Sequence, residues 1–125
     1  MSVPEGQLTA AQFEILELLW NSTNGLTVAE IWDAIRQERD VSRTTVLNLV
    51  DRLEKRNWLV RDKVDGVFRY QANVDRKATE SRLAEDFLGE FFSGSASKLM
   101  LSLLGSKRIS RKELARLKAM LDNPE

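Results

Sequence analysis

A device that starts helices is written into this chain three times, and it fixes where most of the chain can and cannot be helical. Leu8-Thr9-Ala10-Ala11-Gln12-Phe13, Leu26-Thr27-Val28-Ala29-Glu30-Ile31 and Ile109-Ser110-Arg111-Lys112-Glu113-Leu114 each place a hydroxyl residue three positions before Gln or Glu, between two apolar residues. The hydroxyl accepts from the third helical N–H, the Gln or Glu side chain reaches back to the cap N–H, and the apolar pair closes over the turn. Ser42, between Val41 and Val46, supplies a further cap and staple. Helices launched this close together must be short and must pack on one another.

The first predicted helix runs to about Asn21 with Phe13, Leu16, Leu19 and Trp20 turned inward, and Asn21-Ser22-Thr23-Asn24-Gly25 breaks it. The second runs to about Glu38, with Ile31, Ile35 and Trp32 on its core side, and Arg39-Asp40 connects it to Val41. The third lies within Val41 to Trp58, where Val46, Leu49, Val50 and Leu53 form one apolar stripe at 100° per residue.

Opposite that stripe the third helix carries Thr44, Leu47, Asn48, Asp51 and Lys55, with Arg43 and Arg52 on its flanks. Thr, Leu, Asn and Arg are residue types that reach base edges and thymine methyls in a major groove. The plainer alternative is a solvated helix face, where such residues are common. The Asp51 carboxylate would repel phosphate, and Lys55 one turn on is spaced to neutralise it.

After the third helix, Trp58-Leu59-Val60-Arg61-Asp62-Lys63 and Val67-Phe68-Arg69-Tyr70-Gln71-Ala72 are β-prone runs joined by Val64-Asp65-Gly66, a hairpin signal. Three helices and a hairpin, in that order, are the outline of a winged helix-turn-helix, with an ordinary three-helix bundle as the competing reading. Arg61, Lys63 and Arg69 on the hairpin would face a phosphate backbone beside the groove, or simply face solvent.

Net charge is zero, which by itself argues against nucleic acid, but the charge is unevenly spread. Residues 1–35 carry a net of −5 with no Lys or Arg, residues 36–77 a net of +4, and residues 78–125 a net of +1. The positive segment coincides with the third helix and the hairpin, and local charge governs phosphate contact more than the total does.

From Asp75, a candidate cap, the helical pattern returns. Leu83, Phe87, Leu88, Phe91 and Phe92 precede a break at Ser93-Gly94-Ser95. A second short helix spans Ala96 to Leu104 with Leu99, Met100, Leu103 and Leu104, and Gly105 is expected to stop it. The last helix carries Leu114, Leu117, Met120 and Leu121 up to Asp122-Asn123-Pro124. Helices this short cannot hide so many large apolar groups by themselves. The expectation is therefore mainly α structure with a small β-hairpin, a winged-helix domain over residues 1–74 and a helical dimerisation region over 75–125. The winged domain of the same chain could cover these apolar groups, but a second copy suits a symmetric assembly better, and Leu83, Phe87, Phe91, Leu99, Leu103, Leu114, Leu117 and Leu121 would form the contact with it.

The absence of cysteine and histidine excludes disulfides, thiolate and imidazole metal sites, and Ser/His or Cys/His nucleophiles. No carboxylate sits in a motif that gives it a catalytic partner and no glycine-rich phosphate loop is present, so neither an enzyme nor a cofactor is expected. The start MSVPEGQ has no basic or apolar leader character, and no run approaches the ~20 apolar residues of a membrane span, so a cytoplasmic location is expected.

Taken together, Leu8-Thr9 through Trp20, Thr27-Val28-Ala29-Glu30-Ile31, Ser42-Arg43-Thr44-Thr45-Val46, Arg52-Leu53-Glu54-Lys55 and the hairpin ending in Tyr70 resemble the penicillinase-repressor (BlaI/MecI-type) winged-helix regulators, over nearly the whole chain. The resemblance implies a homodimeric repressor seated on an inverted-repeat operator in double-stranded DNA through the third helix and its wing, with a sensor or protease relieving repression. Thr44, Leu47 and Asn48 would then read bases, while Arg43, Arg52, Lys55, Arg61, Lys63 and Arg69 would hold phosphates. Three features depart from the family pattern. Ser102-Leu103 stands where antibiotic-responsive members have the Asn-Phe pair that is cleaved, the cysteine-rich tail of copper-sensing relatives is missing, and Asn57 replaces the usual glycine after the third helix. Asn is among the residues that tolerate the left-handed conformation such a helix end needs. The competing function is a winged helix that binds another protein, which the acidic first third would suit; salt-sensitive retention on DNA separates the two.

Overall fold

A computed structural model of the chain describes residues 4–122. The elements run α1 (Ala10–Trp20), α2 (Val28–Arg36), α3 (Arg43–Lys55), β1 (Leu59–Val64), β2 (Val67–Ala72), α4 (Arg76–Phe91), α5 (Ala96–Gly105) and α6 (Arg111–Asp122). Two compact units are present, one ending at Thr79 and the other beginning at Glu80.

Each helix of the first unit starts where the caps place it. Thr9 Oγ1 accepts from Gln12 N–H at 3.2 Å while Gln12 Oε1 accepts from Thr9 N–H at 3.0 Å. Thr27 and Glu30 repeat the exchange at 3.1 and 2.9 Å, and Ser42 Oγ accepts from Thr45 N–H at 3.1 Å. At the far end of α3, Asn57 adopts φ +69°, with Trp58 N–H donating to Leu53 O and Asn57 N–H to Glu54 O, a Schellman closure in which Asn does the work of glycine.

The core of this unit is Ile15, Leu16 and Leu19 from α1, Ile31 and Ile35 from α2, Val46, Val50 and Leu53 from α3, together with Trp58, Leu59 and Tyr70. The stripe predicted on α3 is thus the buried one, with Leu49 half-buried at its edge. On α1 the expectation is corrected: Ile15 is fully buried, whereas Phe13 and Trp20 are half-buried and lie against each other edge to face, ring centroids 5.8 Å apart. Each indole spends its N–H on a distant carbonyl and so fixes a connection: Trp20 donates to Val74 O, Trp32 to Val41 O and Trp58 to Glu5 O, at 3.0, 2.9 and 2.8 Å.

The hairpin pairs antiparallel in the register Leu59↔Ala72, Arg61↔Tyr70, Lys63↔Phe68 and Val64↔Val67. Val64 therefore belongs to the strand, and the turn is the two residues Asp65 and Gly66, at φ +52° and +82°, the positive pair that a tight right-twisted hairpin requires. Leu26 adds a single antiparallel bridge to Tyr70, with bonds of 3.0 and 2.8 Å, so the segment before α2 is stitched to the far side of β2. Gly25 allows that approach: its φ is +73°, and a Cβ there would lie 2.6 Å from Tyr70 O.

At the end of the first unit Asp75 caps α4, its Oδ2 accepting from Ala78 N–H at 3.0 Å. Ser110 and Glu113 complete the third capping box, with Ser110 Oγ accepting from Glu113 N–H at 3.1 Å and Glu113 Oε1 from Ser110 N–H at 3.3 Å. The stop expected at Gly105 is corrected. Gly105 is the last residue of α5, and the left-handed residue is Lys107 at φ +60°, with Arg108 N–H donating to Leu103 O and Lys107 N–H to Leu104 O. The sequence-predicted end of α6 at Asn123-Pro124 lies outside the described residues.

Candidate nucleic-acid interface

Because Val46, Val50 and Leu53 hold one side of α3 in the core, its other side is committed to solvent. Thr44, Leu47 and Asn48 are exposed there, Leu47 at 48 %, and Arg43, Arg52 and Lys55 are exposed with them. The hydroxyl of Ser42 is occupied by the cap and by Thr45 Oγ1, to which it donates at 2.8 Å, whereas no hydrogen bond engages the Thr44 hydroxyl or the Asn48 amide among the described residues. These two groups keep their full capacity for a partner.

The cations fall into two sets. Lys55 Nζ lies 2.9 Å from Asp51 Oδ2, the neutralising pair that the spacing predicts. Arg61 Nε lies 2.9 Å from Glu54 Oε2, and its guanidinium carbon sits 4.1 Å from the centre of the Phe68 ring. Arg69 is turned inward: its Nε donates to Asn24 O at 3.2 Å, and its Nη2 donates to Gly25 O at 3.2 Å and to Glu30 Oε1 at 3.1 Å. By contrast, no carboxylate pairs with Arg43, Arg52 or Lys63 among the described residues. Lys63 has only the face of Phe68, its Nζ 5.6 Å from the ring centre. The sequence shows that these residues are basic and where they lie in the chain; it does not show which are already bonded, because Arg69 and Glu30 meet across 39 residues.

Glu30 has a perturbed carboxyl. The backbone N–H of Thr27 chiefly holds it below the ordinary carboxylate range, slight burial opposes this, and the charge of Arg69 and the Thr27 side chain add to the lowering. One carboxylate thus closes the cap of α2 and anchors the wing.

The predicted dimerisation residues all lie in α4, α5 and α6. Phe87 touches Phe91 and Phe92, with ring centroids 5.2 and 5.6 Å apart. Phe91, Leu114, Leu117 and Leu121 are exposed and Leu83, Leu99 and Leu103 half-buried; no described residue of α5 or α6 is buried. Among the described residues no helix is long and apolar enough to cross a membrane.

A helix seated on two others, presenting a bare polar face beside a hairpin that carries cations, defines a winged helix-turn-helix of the DNA-binding kind. The family model described as penicillinase repressor matches residues 8–123, and the chain belongs to that family, whose members are transcriptional repressors and not enzymes. A penicillinase repressor of Staphylococcus aureus is 22 % identical over 123 residues, 98 % of this chain and 97 % of its own. The transcriptional regulator BlaI of Mycobacterium tuberculosis is 29 % identical over 76 residues, 61 % of this chain and 55 % of its own. Among solved structures, the Helicobacter pylori ferric uptake regulator Fur overlays 53 % of this chain and 47 % of its own, at 25 % identity and a TM-score of 0.48. The protein is a winged-helix transcriptional repressor, and DNA is its partner.

Proposed function

We propose that the repressor acts in the cytoplasm as a homodimer on an inverted-repeat operator, each protomer laying α3 in a major groove. Thr44, Leu47 and Asn48 read base edges, with Leu47 against a thymine methyl and the Asn48 amide on adenine. Arg43, Arg52 and Lys63 neutralise phosphates, while Arg69 holds the wing in place. The observation that carries this reading is the division of α3 into a fully buried apolar stripe and an exposed face with an unengaged amide and hydroxyl. The exposed apolar residues of α4, α5 and α6, led by Phe91 and Leu121, supply the dimer contact. A sensor or protease ends repression; the segment that family cleavage would address is α5, where the pair is Ser102-Leu103.

Two substitutions test the face. Asn48→Ala relaxes preference at one base position by ~1–3 kcal/mol, and Lys63→Ala weakens all sequences alike and flattens the dependence of log K on log salt by about 0.9 per protomer. Operator binding by both variants indistinguishable from wild type across a salt titration would contradict the assignment.

A further inference from the structure

The outward stripe of α3 does not end as it begins. Its first turns are uncharged or basic, but Asp51 and Glu54 follow, and 100° per residue puts Glu54 almost directly below Leu47, two turns on. A carboxylate at that place would lie towards the same duplex as the base readers. It is not left bare, because the wing brings Arg61 to it, 2.9 Å from Glu54 Oε2, and the guanidinium carbon lies 4.1 Å from the centre of the Phe68 ring. The Glu54 side chain is only 23 % exposed, against 49 % for Asp51, so the pair is the better enclosed of the two.

We propose that Glu54 tunes DNA binding by offsetting Arg61, so that the pair together adds nothing to the protein's grip on phosphate. The proposal rests on the reading of α3 and the wing as the DNA face. Its physical core is ion counting. A free cation that meets a phosphate releases the counterions condensed there, about 0.9 per contact on duplex DNA. If Arg61 left Glu54 for a phosphate, the bared carboxylate beside the DNA would gather a cation in exchange, and the net release would be close to none. Whether Arg61 stays or moves, Glu54 cancels it. The backbone grip then falls to Arg43, Arg52 and Lys63, and base contacts carry a larger share of operator binding.

The test uses the full-length protein and a short duplex of random sequence, with affinity measured as a function of salt. Glu54→Gln keeps the shape of the side chain and removes its charge; it should steepen the slope of log K against log salt by about 0.9 per protomer. Arg61→Ala alone bares Glu54 beside the DNA and should flatten the slope by about as much, and Glu54→Gln combined with Arg61→Ala should return it to the wild-type value. If Glu54→Gln leaves the slope at the wild-type value while Arg61→Ala flattens it as much as Lys63→Ala does, Arg61 is an ordinary phosphate contact and the proposal is overturned. If Lys63→Ala changes nothing, the reading of this face as the DNA side fails, and the proposal with it.

Discussion

Replacing Arg69 with alanine separates a residue that builds the wing from residues that touch DNA, because the two roles move different observables. The guanidinium makes two bonds to the carbonyls of Asn24 and Gly25 and one to Glu30, all between 3.1 and 3.2 Å. A hydrogen bond to a charged group contributes about 1.5–3 kcal/mol when buried. Here the Arg69 side chain is 29 % exposed and that of Glu30 48 %, so water replaces much of what is lost and the ion pair itself contributes no more than ~1 kcal/mol. The expected loss is about 1–2 kcal/mol in all, or roughly 5–15 °C in Tm for a unit of this size. Urea unfolding of the full chain measures it. Salt titration on random-sequence duplex measures the other role, and the slope should stay at the wild-type value. Arg69→Lys should recover little stability, since an ammonium cannot span three acceptors held by a planar fork. A slope flattened by about 0.9 per protomer with the urea midpoint unchanged would refute the reasoning and return Arg69 to the phosphate contacts named from sequence.

Two further outcomes follow from the same corner of the fold. Gly25→Ala should destabilise more than Gly66→Ala in urea unfolding. Both sites have positive φ, costing ~1–2 kcal/mol for a side chain, but only at Gly25 would the new methyl press on Tyr70 O, while nothing lies within 4 Å of it at Gly66. Equal costs would mean that the Leu26–Tyr70 bridge yields freely. Because the folded-state pKa of Glu30 is depressed, its contribution is fully present above the ordinary glutamate value of about 4.3 and is lost as pH falls through the lower folded value. Glu30→Gln, which keeps the capping box but not the charge, should therefore be less stable than wild type at neutral pH and match it in strong acid; a gap that persists unchanged in acid would contradict this.

Local structure was the part most legible in the sequence. The boxes at Thr9, Thr27 and Ser110 state their geometry within four residues, and Asp65-Gly66 and Asn57 occupy left-handed positions that few other residues tolerate. The stripe on α3 was equally plain because its other side is polar. On α1 periodicity gave no sharp face, since Ile15, Leu16, Leu18, Leu19 and Trp20 wrap most of the way round, and Ile15 rather than Phe13 or Trp20 took the centre. Lys107 carries no sign that it will turn left-handed after α5. The Leu26 bridge is one residue long, too short for a strand pattern. At the candidate site, residue type identified the cations and the fold alone paired them, since Glu54 with Arg61 and Glu30 with Arg69 meet only once the wing has folded back.

Selection of bound sequences by the purified full-length protein from a random duplex pool shows whether two copies of α3 address duplex DNA symmetrically. The enriched sequence should be an inverted repeat whose half-sites lie about one helical turn, or a multiple of it, apart. Asn48→Ala should blur one position in each half-site. An unenriched pool, or a single asymmetric site unchanged by Asn48→Ala, would contradict symmetric recognition.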